Sequence, residues 1–291
     1  MMINHIPVMV KEVIEILSPR PGGIYIDATV GPGGHTLEIL KYIGPEGKII
    51  GFDRDMETLN IARQRISDGR VILKKALFTE IRGILEEEGI TGVDGILFDF
   101  GISMLQVKDM ERAFSFHSEY PLDMRMDRSK GITAEEVINT YPAHELERIL
   151  REYGELGYAK KIARAIVLKR REGRIRSCKE LADLVSKVYG RRGKIHPATK
   201  TFQALRIEVN NEINEIREGL QNSIVLLNKG GRLCVISYHS LEDRIVKIFM
   251  RDSERKGLLR VLTKKPLTPL PEEIRSNPAS RSAKLRGAEK I

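Results

Sequence analysis

The stretch IYIDATVGPGGHTLEILKYI, residues 24–43, decides the fold. Its opening, Ile24–Val30, is a short run of β-forming residues. The run stops at Gly31-Pro32-Gly33-Gly34, and HTLEILKYI then reads as a helix. Outward from there, strand and helix keep alternating. KIIGFD (Lys48–Asp53) is a second strand, Met56–Ile66 a helix with apolar residues at helical spacing, Val71–Lys75 a third strand and GILFDF (Gly95–Phe100) a fourth. Near-continuous apolar strands separated by helices predict a parallel sheet covered on both faces.

The alternation stops near Phe114. From there to Asn211 the sequence offers helix starts and no convincing strand. Thr133-Ala-Glu-Glu136 and Ser177-Cys-Lys-Glu180 have capping-box spacing, in which a hydroxyl and a carboxylate three residues apart satisfy free N–H groups. Helices are expected at Pro142–Tyr153, Gly157–Glu172 and Ser177–Tyr189. A longer one is expected from Pro197, with Phe202, Leu205, Val209, Ile213, Ile216 and Leu220 along one face. Strand signal returns at Arg232–Ser237. Leu258–Thr263 and Ala283–Ala288 suit a final antiparallel pair, and the Pro-rich KKPLTPLPEEIRSNPAS between them reads as loop. The whole pattern is an α/β sheet carrying an all-helical insertion between its fourth and fifth strands.

The 291 residues, 41% hydrophobic and 31% charged, suit a soluble protein able to bury a sizeable core. No apolar run approaches the roughly 20 residues of a transmembrane helix, so no membrane role is expected. The N-terminus lacks a signal-peptide block, and Cys178 and Cys234 lack metal-ligand spacing, so both read as buried apolar residues of a cytoplasmic protein. No metal is expected. The net charge of +9 is unevenly placed: residues 160–200 hold fourteen Lys/Arg against three Asp/Glu, and residues 244–291 thirteen against five. Two basic blocks on an acidic remainder point to a polyanionic partner; solvated helix faces are the plain alternative. With aromatics at 5% and no tryptophan, contacts to such a partner should rest on phosphates more than on stacking.

Ligands of open parallel sheets bind beyond the carboxyl ends of the strands, where the glycine turn falls. Pro32 and His35 break the dinucleotide-binding fingerprint. Asp27, just before the turn, would repel a pyrophosphate. It suits a ligand with a cationic amino group, such as S-adenosylmethionine. Asp53 closes the second strand, placed to accept both hydroxyls of an adenosine ribose. Asp99 closes the fourth strand and could hold a methionyl amine, hold a target base, or cap the following loop.

The segments HIPVMVKEVIEIL (5–17), DATVGPGGHT (27–36), GFDRD (51–55), FDFGIS (98–103), PLDMRMD (121–127), HPATKTFQALRIEVNNEI (196–213), SYHSLEDRIVK (237–247) and NPASRSAKLR (277–286) run in order along nearly the whole chain. In these the chain resembles the bacterial 16S rRNA cytosine-N4 methyltransferase family. The resemblance implies a class I methyltransferase (Rossmann-like) sheet with an inserted all-helical domain. It places the cofactor-binding domain at 1–114 and 216–291, and the insertion, as an RNA-recognition domain, at 115–215. It implies S-adenosylmethionine contacts at Gly33, Gly34, His35, Asp53, Phe78, Asp99 and Gln106, beside the Asp27 read above, and the 16S rRNA of the small ribosomal subunit as partner. A homodimer is one of the oligomeric states left open. The segment before Pro121, His-Ser-Glu119-Tyr120, departs from the Asp-Gly pair usual in the family.

The implied reaction needs in-line alignment and a proton acceptor, because a cytosine N4 lone pair is delocalised into the ring. Alignment alone supplies on the order of 7–11 kcal/mol in well-oriented cases. Acceptor candidates are Asp99, Asp123 and the Ser237-Tyr238-His239-Ser240 segment. Asp123 could instead pair with Arg125 or Arg128, and His239 could be a packed, hydrogen-bonded histidine. A methyltransferase for protein or small molecules leaves the basic blocks without a task. A non-catalytic RNA-binding module leaves the carboxylates without one, and a dehydrogenase conflicts with the broken fingerprint.

Overall fold

The computed structural model describes residues 6–116, 118–190 and 196–291. His5 of the HIPVMVKEVIEIL segment, His117 before Pro121, and Arg191, Arg192 and Lys194 of the first basic block lie outside the described residues. The chain divides into two units, Met1–Gly101 with Ile213–Ile291, and Ile102–Glu212.

The first unit opens with α1 (Val10–Leu17), β1 (Ile24–Asp27), α2 (Gly34–Leu40), β2 (Lys48–Asp53), α3 (Met56–Arg65), β3 (Val71–Lys75), α4 (Ile81–Glu87) and β4 (Val93–Asp99). The second holds α5 (Met104–Lys108), α6 (Ala134–Thr140), α7 (Ala143–Glu152), α8 (Ala159–Glu172), α9 (Cys178–Tyr189) and α10 (Thr199–Val209). Then come α11 (Glu212–Leu226), β5 (Leu227–Ser237), α12 (Ser240–Arg255), β6 (Leu259–Val261), α13 (Pro271–Ser276) and β7 (Lys284–Lys290).

The strands form one sheet in the order β3-β2-β1-β4-β5-β7-β6. β1 to β5 pair in parallel, and β7 runs antiparallel between β5 and β6. This is the class I methyltransferase arrangement that the resemblance implies. Successive strand residues face opposite sides. Ile26, Ile50, Ile96 and Val235 join one buried cluster with α4, α11 and α12 through Ile81, Leu220 and Val246. Tyr25, Ile49, Leu97 and Cys234 join the other with α1, α2 and α3 through Val13, Ile39 and Leu59. Each such fully buried side chain contributes about 1.5–3 kcal/mol, which is why the strands read as unbroken apolar runs. At the β1–β2–β3 crossing Gly51 is needed for space, since a Cβ there would stand 2.7 Å from Leu73.

The helical unit has its own core, with Leu122, Val137, Leu146, Ile149, Ile162, Ile166, Leu181, Val185 and Phe202 all buried. Cys178 and Cys234 are buried free thiols, and burial pushes Cys178 up to about 12. Among the described residues no helix is long and apolar enough to cross a membrane.

Four details differ from the sequence reading. The long helix expected from Pro197 is two helices, α10 and α11, broken at Asn210-Asn211. Asn211 takes a left-handed φ of 51°, while the Asn210 side-chain amide donates to Met124 O at 2.8 Å and Arg206 O at 2.9 Å and accepts from the N–H of Met126 at 2.7 Å. The apolar face runs on across the break because each half packs separately. In the Pro-rich stretch read as loop, Pro271 stands at the first position of α13, where its missing N–H costs nothing. β5 begins at Leu227, before the expected Arg232, because a register shift between Val93 and Gly95 absorbs the extra residues. Finally, Ser177 caps α9, but Glu180 bonds the N–H of Arg176 and leaves the box half-made.

Asn210 therefore does more than end a helix. Asn210→Ala leaves the N–H of Met126 and the carbonyl of Met124 without these partners, so the helical unit should lose about 2–4 kcal/mol. The urea midpoint of that unit checks this; an unmoved midpoint would show the amide to be dispensable.

Candidate functional site

Parallel pairing sets the carboxyl ends of β1, β2 and β4 side by side, and each strand ends on an aspartate: Asp27, Asp53 and Asp99. Asp27 is 1% exposed. Its oxygens accept from the Thr36 hydroxyl at 2.7 Å and the Thr29 N–H at 3.3 Å. Burial pushes its carboxyl above the usual range, with His35 pulling the other way. Thr29 in turn accepts from the N–H of Asp99 at 2.7 Å, tying the ends of β1 and β4 together.

Asp53 is half-buried and anchors the glycine turn. Oδ2 accepts from the N–H of Gly31 at 3.0 Å and Oδ1 from the N–H of Asp55 at 2.8 Å. Burial pushes this carboxyl up to about 7 against those donors. Asp99 Oδ1 accepts the Tyr238 hydroxyl at 2.8 Å, and Asp99 Oδ2 lies 3.6 Å from His35 Nε2, an ion-pair distance too long for a hydrogen bond. His35 is 6% exposed, and among the described residues neither ring nitrogen has a hydrogen-bond partner. Burial lowers its affinity for a proton, but Asp99 and Asp27 together outweigh that and leave its pKa raised. A buried imidazole beside a carboxylate, its ring nitrogens without hydrogen-bond partners among the described residues, is a position a ligand can complete.

The turn glycines separate by role. A Cβ on Gly33, whose φ is +87°, would meet Ile66 at 2.5 Å, and one on Gly34 would meet Pro7 at 3.0 Å. Their missing side chains admit the chain's own atoms. Gly31, with φ +53°, has among the described residues only the Thr29 carbonyl within 4 Å of where its Cβ would stand. It is therefore Gly31 that leaves the backbone open to close approach. Phe78 packs edge-on to Phe98 with ring centroids 5.1 Å apart, over Gly219 of α11, where a Cβ would be 2.9 Å from Phe78.

At the end of β5, Tyr238 packs beside Gly101 and its hydroxyl reaches Asp99, as above. Glu242, fully buried, accepts from the N–H groups of Tyr238 at 2.8 Å and His239 at 3.2 Å. His239 returns the bond as N-cap of α12, its Nδ1 accepting from the Glu242 N–H at 3.4 Å. His239 is thus tied into the start of α12 through Nδ1 and its backbone, while its Nε2 lies 3.0 Å from Glu242 Oε1. Glu242 was missed in the sequence, and Gly31 was read as part of the turn without being singled out; the His-x-x-Glu spacing is a capping signal disguised by histidine in the place of serine or threonine.

Asp123 and Gln106 belong to the helical unit. Asp123 is held by Arg125 through two hydrogen bonds of 2.7 and 3.0 Å, with Arg128 at 3.6 Å. Its burial favours a proton, but Arg125 prevails and holds it below the usual carboxylate range. So engaged, it is a poor proton acceptor. Gln106 completes a capping box with Ser103 at the start of α5.

The basic blocks are partly spent within the chain. Arg286, 7% exposed, and Lys284 both pair with Asp243, and Arg260 pairs with Glu289. Arg170 donates to the Ile138 carbonyl. In the helical unit Lys160, Arg164 and Arg171 are exposed along α8.

The raised titration of His35 follows from its two carboxylate neighbours. Asp99→Asn should bring it down, read by NMR of the imidazole; a titration that does not move would remove Asp99 from its surroundings.

Comparison with known proteins matches residues 2–291 to the MraW methylase family. A ribosomal RNA small subunit methyltransferase H from Persephonella marina is 51% identical, with all of both chains covered. Proteins of the same name from a Sulfurihydrogenibium species and from Caldicellulosiruptor bescii are 48% and 45% identical, again over all of both chains.

Proposed function

Since the chain belongs to the MraW methylase family, we propose that it transfers a methyl group from S-adenosylmethionine to the exocyclic N4 of a cytosine in 16S rRNA of the small ribosomal subunit. The observation that carries this reading is the row of carboxylates ending β1, β2 and β4 around a glycine turn open at Gly31. Acidic groups there suit hydroxyls and an ammonium and repel phosphates. His35, buried without a hydrogen-bond partner among the described residues, is a further group a ligand could satisfy. The residues present therefore fit the cofactor.

When bound, S-adenosylmethionine supplies a sulfonium methyl as the electrophile. In this proposal Asp53 accepts the ribose hydroxyls, and Gly31 lets the ligand approach the backbone. Asp27, 1% exposed, shapes the turn through Thr29 and Thr36. Asp99 is the acceptor for the target amine. Tyr238 holds one of its oxygens, and the other faces His35. Gly33, Gly34, Phe78 and Gln106, implied as contacts by the resemblance, serve packing and capping as described, so the proposal does not lean on them. His239 and Asp123 act in it only by ordering their own segments. The exposed cations of α8 suit the phosphates of an RNA.

Labelled S-adenosylmethionine offered with small subunits, free 16S rRNA and unrelated RNA should place label in N4-methylcytidine of the 16S rRNA. Label in another nucleoside, or in protein alone, overturns the assignment.

The elevated Asp53 gives a sign to the pH dependence of binding. Hydroxyl donors favour the ionised carboxyl, so affinity should rise with pH and level off above about 7, falling by up to tenfold per unit below it. Asp53→Asn should remove that slope and weaken binding by roughly 1.5–3 kcal/mol. Calorimetry across this range decides; a wild-type affinity independent of pH would take Asp53 out of the site.

A further inference from the structure

Tyr158, at the N-terminus of α8, is 43% exposed, a large ring left at the surface of a unit whose other aromatic side chains mostly pack inward. It leans on Tyr189, the last residue of α9, with centroids 4.9 Å apart and planes at 51°. The ammonium of Lys161 rests over the Tyr158 ring, 5.2 Å from its centroid. Lys160, Arg164 and Arg171 share one face of α8 at helical spacing, spanning about 16 Å at 1.5 Å per residue; Tyr158 caps the helix about 140° round from that row, with Lys161 between them. All are exposed, and among the described residues none is paired with a carboxylate. The carboxylates nearest in sequence are occupied: Glu152 pairs with Arg148, Glu155 lies 3.9 Å from Lys200, and Glu172 pairs with Lys169. Asp183 on α9 is the exposed acid of the neighbouring helix.

Surface lysines and arginines by themselves are ordinary. Here they stand near an exposed tyrosine, Tyr158, backed by the half-buried Tyr189, and that combination has a specific use. Single-stranded nucleic acid is gripped by cations that track its backbone and aromatic rings on which its bases stack. We infer that the Tyr158–Tyr189 pair, with Lys160, Lys161, Arg164 and Arg171, is a binding surface for a single-stranded segment of RNA. A base stacks on Tyr158 in the place where Lys161 now rests. The ammonium moves from the ring to the phosphate of that nucleotide, and Lys160, Arg164 and Arg171 take phosphates further along. Duplex RNA keeps its bases stacked in the helix and offers the ring nothing. The inference rests on the RNA-modifying reading and names the part of the insertion that would hold the substrate.

The two halves of the surface have different physical signatures. Stacking is indifferent to salt, whereas each phosphate contact adds about 0.7 to the log–log salt slope for a single strand. The measurement is fluorescence anisotropy of a short labelled single-stranded RNA on the full chain, titrated at several salt concentrations, with the same sequence as a duplex for comparison. Tyr158→Ala should weaken single-strand binding roughly ten- to a hundredfold and leave the slope unchanged. Tyr158→Phe, which keeps the ring, should bind as wild type. Lys160→Gln with Arg164→Gln should flatten the slope by about 1.4. S-adenosylmethionine affinity, measured in parallel, should not change in any of them. Wild-type affinity in Tyr158→Ala, or equal losses for single strand and duplex, overturns the surface. Methyl transfer is assayed separately on the wild type, so a protein that labels no RNA but shows this binding pattern keeps the surface and loses the proposed reaction. A protein that labels 16S rRNA while Tyr158→Ala binds normally keeps the reaction and loses the surface.

Discussion

A fully buried carboxylate cannot stand alone, and the arrangement at the strand ends follows from the donors Asp27 requires. Thr36 on α2 and the backbone of Thr29 supply them, which pins the start of the helix and the end of the strand to one side chain. Thr29 then passes the constraint to β4 by accepting from the N–H of Asp99. Asp53 does the same for the turn from the neighbouring strand, through Gly31. Cutting the buried bond between Thr36 and Asp27 would leave a polar group unpaired at a cost of about 1–3 kcal/mol. The turn is therefore held rigid from three sides before any ligand arrives, which is how a site avoids spending binding energy on ordering itself.

The same economy marks the end of β5. Glu242 gathers two consecutive N–H groups and so fixes the bend from which Tyr238 reaches Asp99. One oxygen of Asp99 is thereby committed and the other is left beside His35. Three elements distant in sequence thus set the orientation of one carboxylate. The helical unit uses a comparable device in Asn210, whose amide holds the backbone around Met124, a buried residue at φ +62°. A left-handed, non-glycine residue costs on the order of 1–3 kcal/mol and persists only where its surroundings enforce it. The PLDMRMD segment is accordingly held in one conformation, with Arg125 closed onto Asp123.

Charge shows how far composition can mislead about a surface. The C-terminal block has a large cationic surplus in sequence, yet Lys284 and Arg286 neutralise Asp243 beside the sheet. The block in the insertion keeps several exposed cations along α8 and couples them to an aromatic pair. A net charge counted along the chain cannot distinguish a cation that holds an internal partner from one that faces solvent.

What the sequence determined by itself is whatever depends on local periodicity and on residues close in the chain. The alternating strands and helices, the all-helical insertion, the strand-ending Asp27, Asp53 and Asp99, and the capping box at Thr133 were legible because each signal lies within a few residues. The break at Asn210 escaped notice because an apolar face continues through it, and the bonds of its amide to Met124 and Met126 come from far away in sequence. The roles of the turn glycines were likewise decided by distant neighbours: Ile66 and Pro7 fill the space beside Gly33 and Gly34, and leave Gly31 open. Asp123 and His239 were ambiguous for the same reason. A carboxylate or an imidazole is a proton acceptor or a structural tie according to what stands opposite it, and the residue opposite is chosen by packing. Tertiary structure alone made Asp123 the partner of Arg125 and His239 the cap of α12, and set Tyr238 against Asp99.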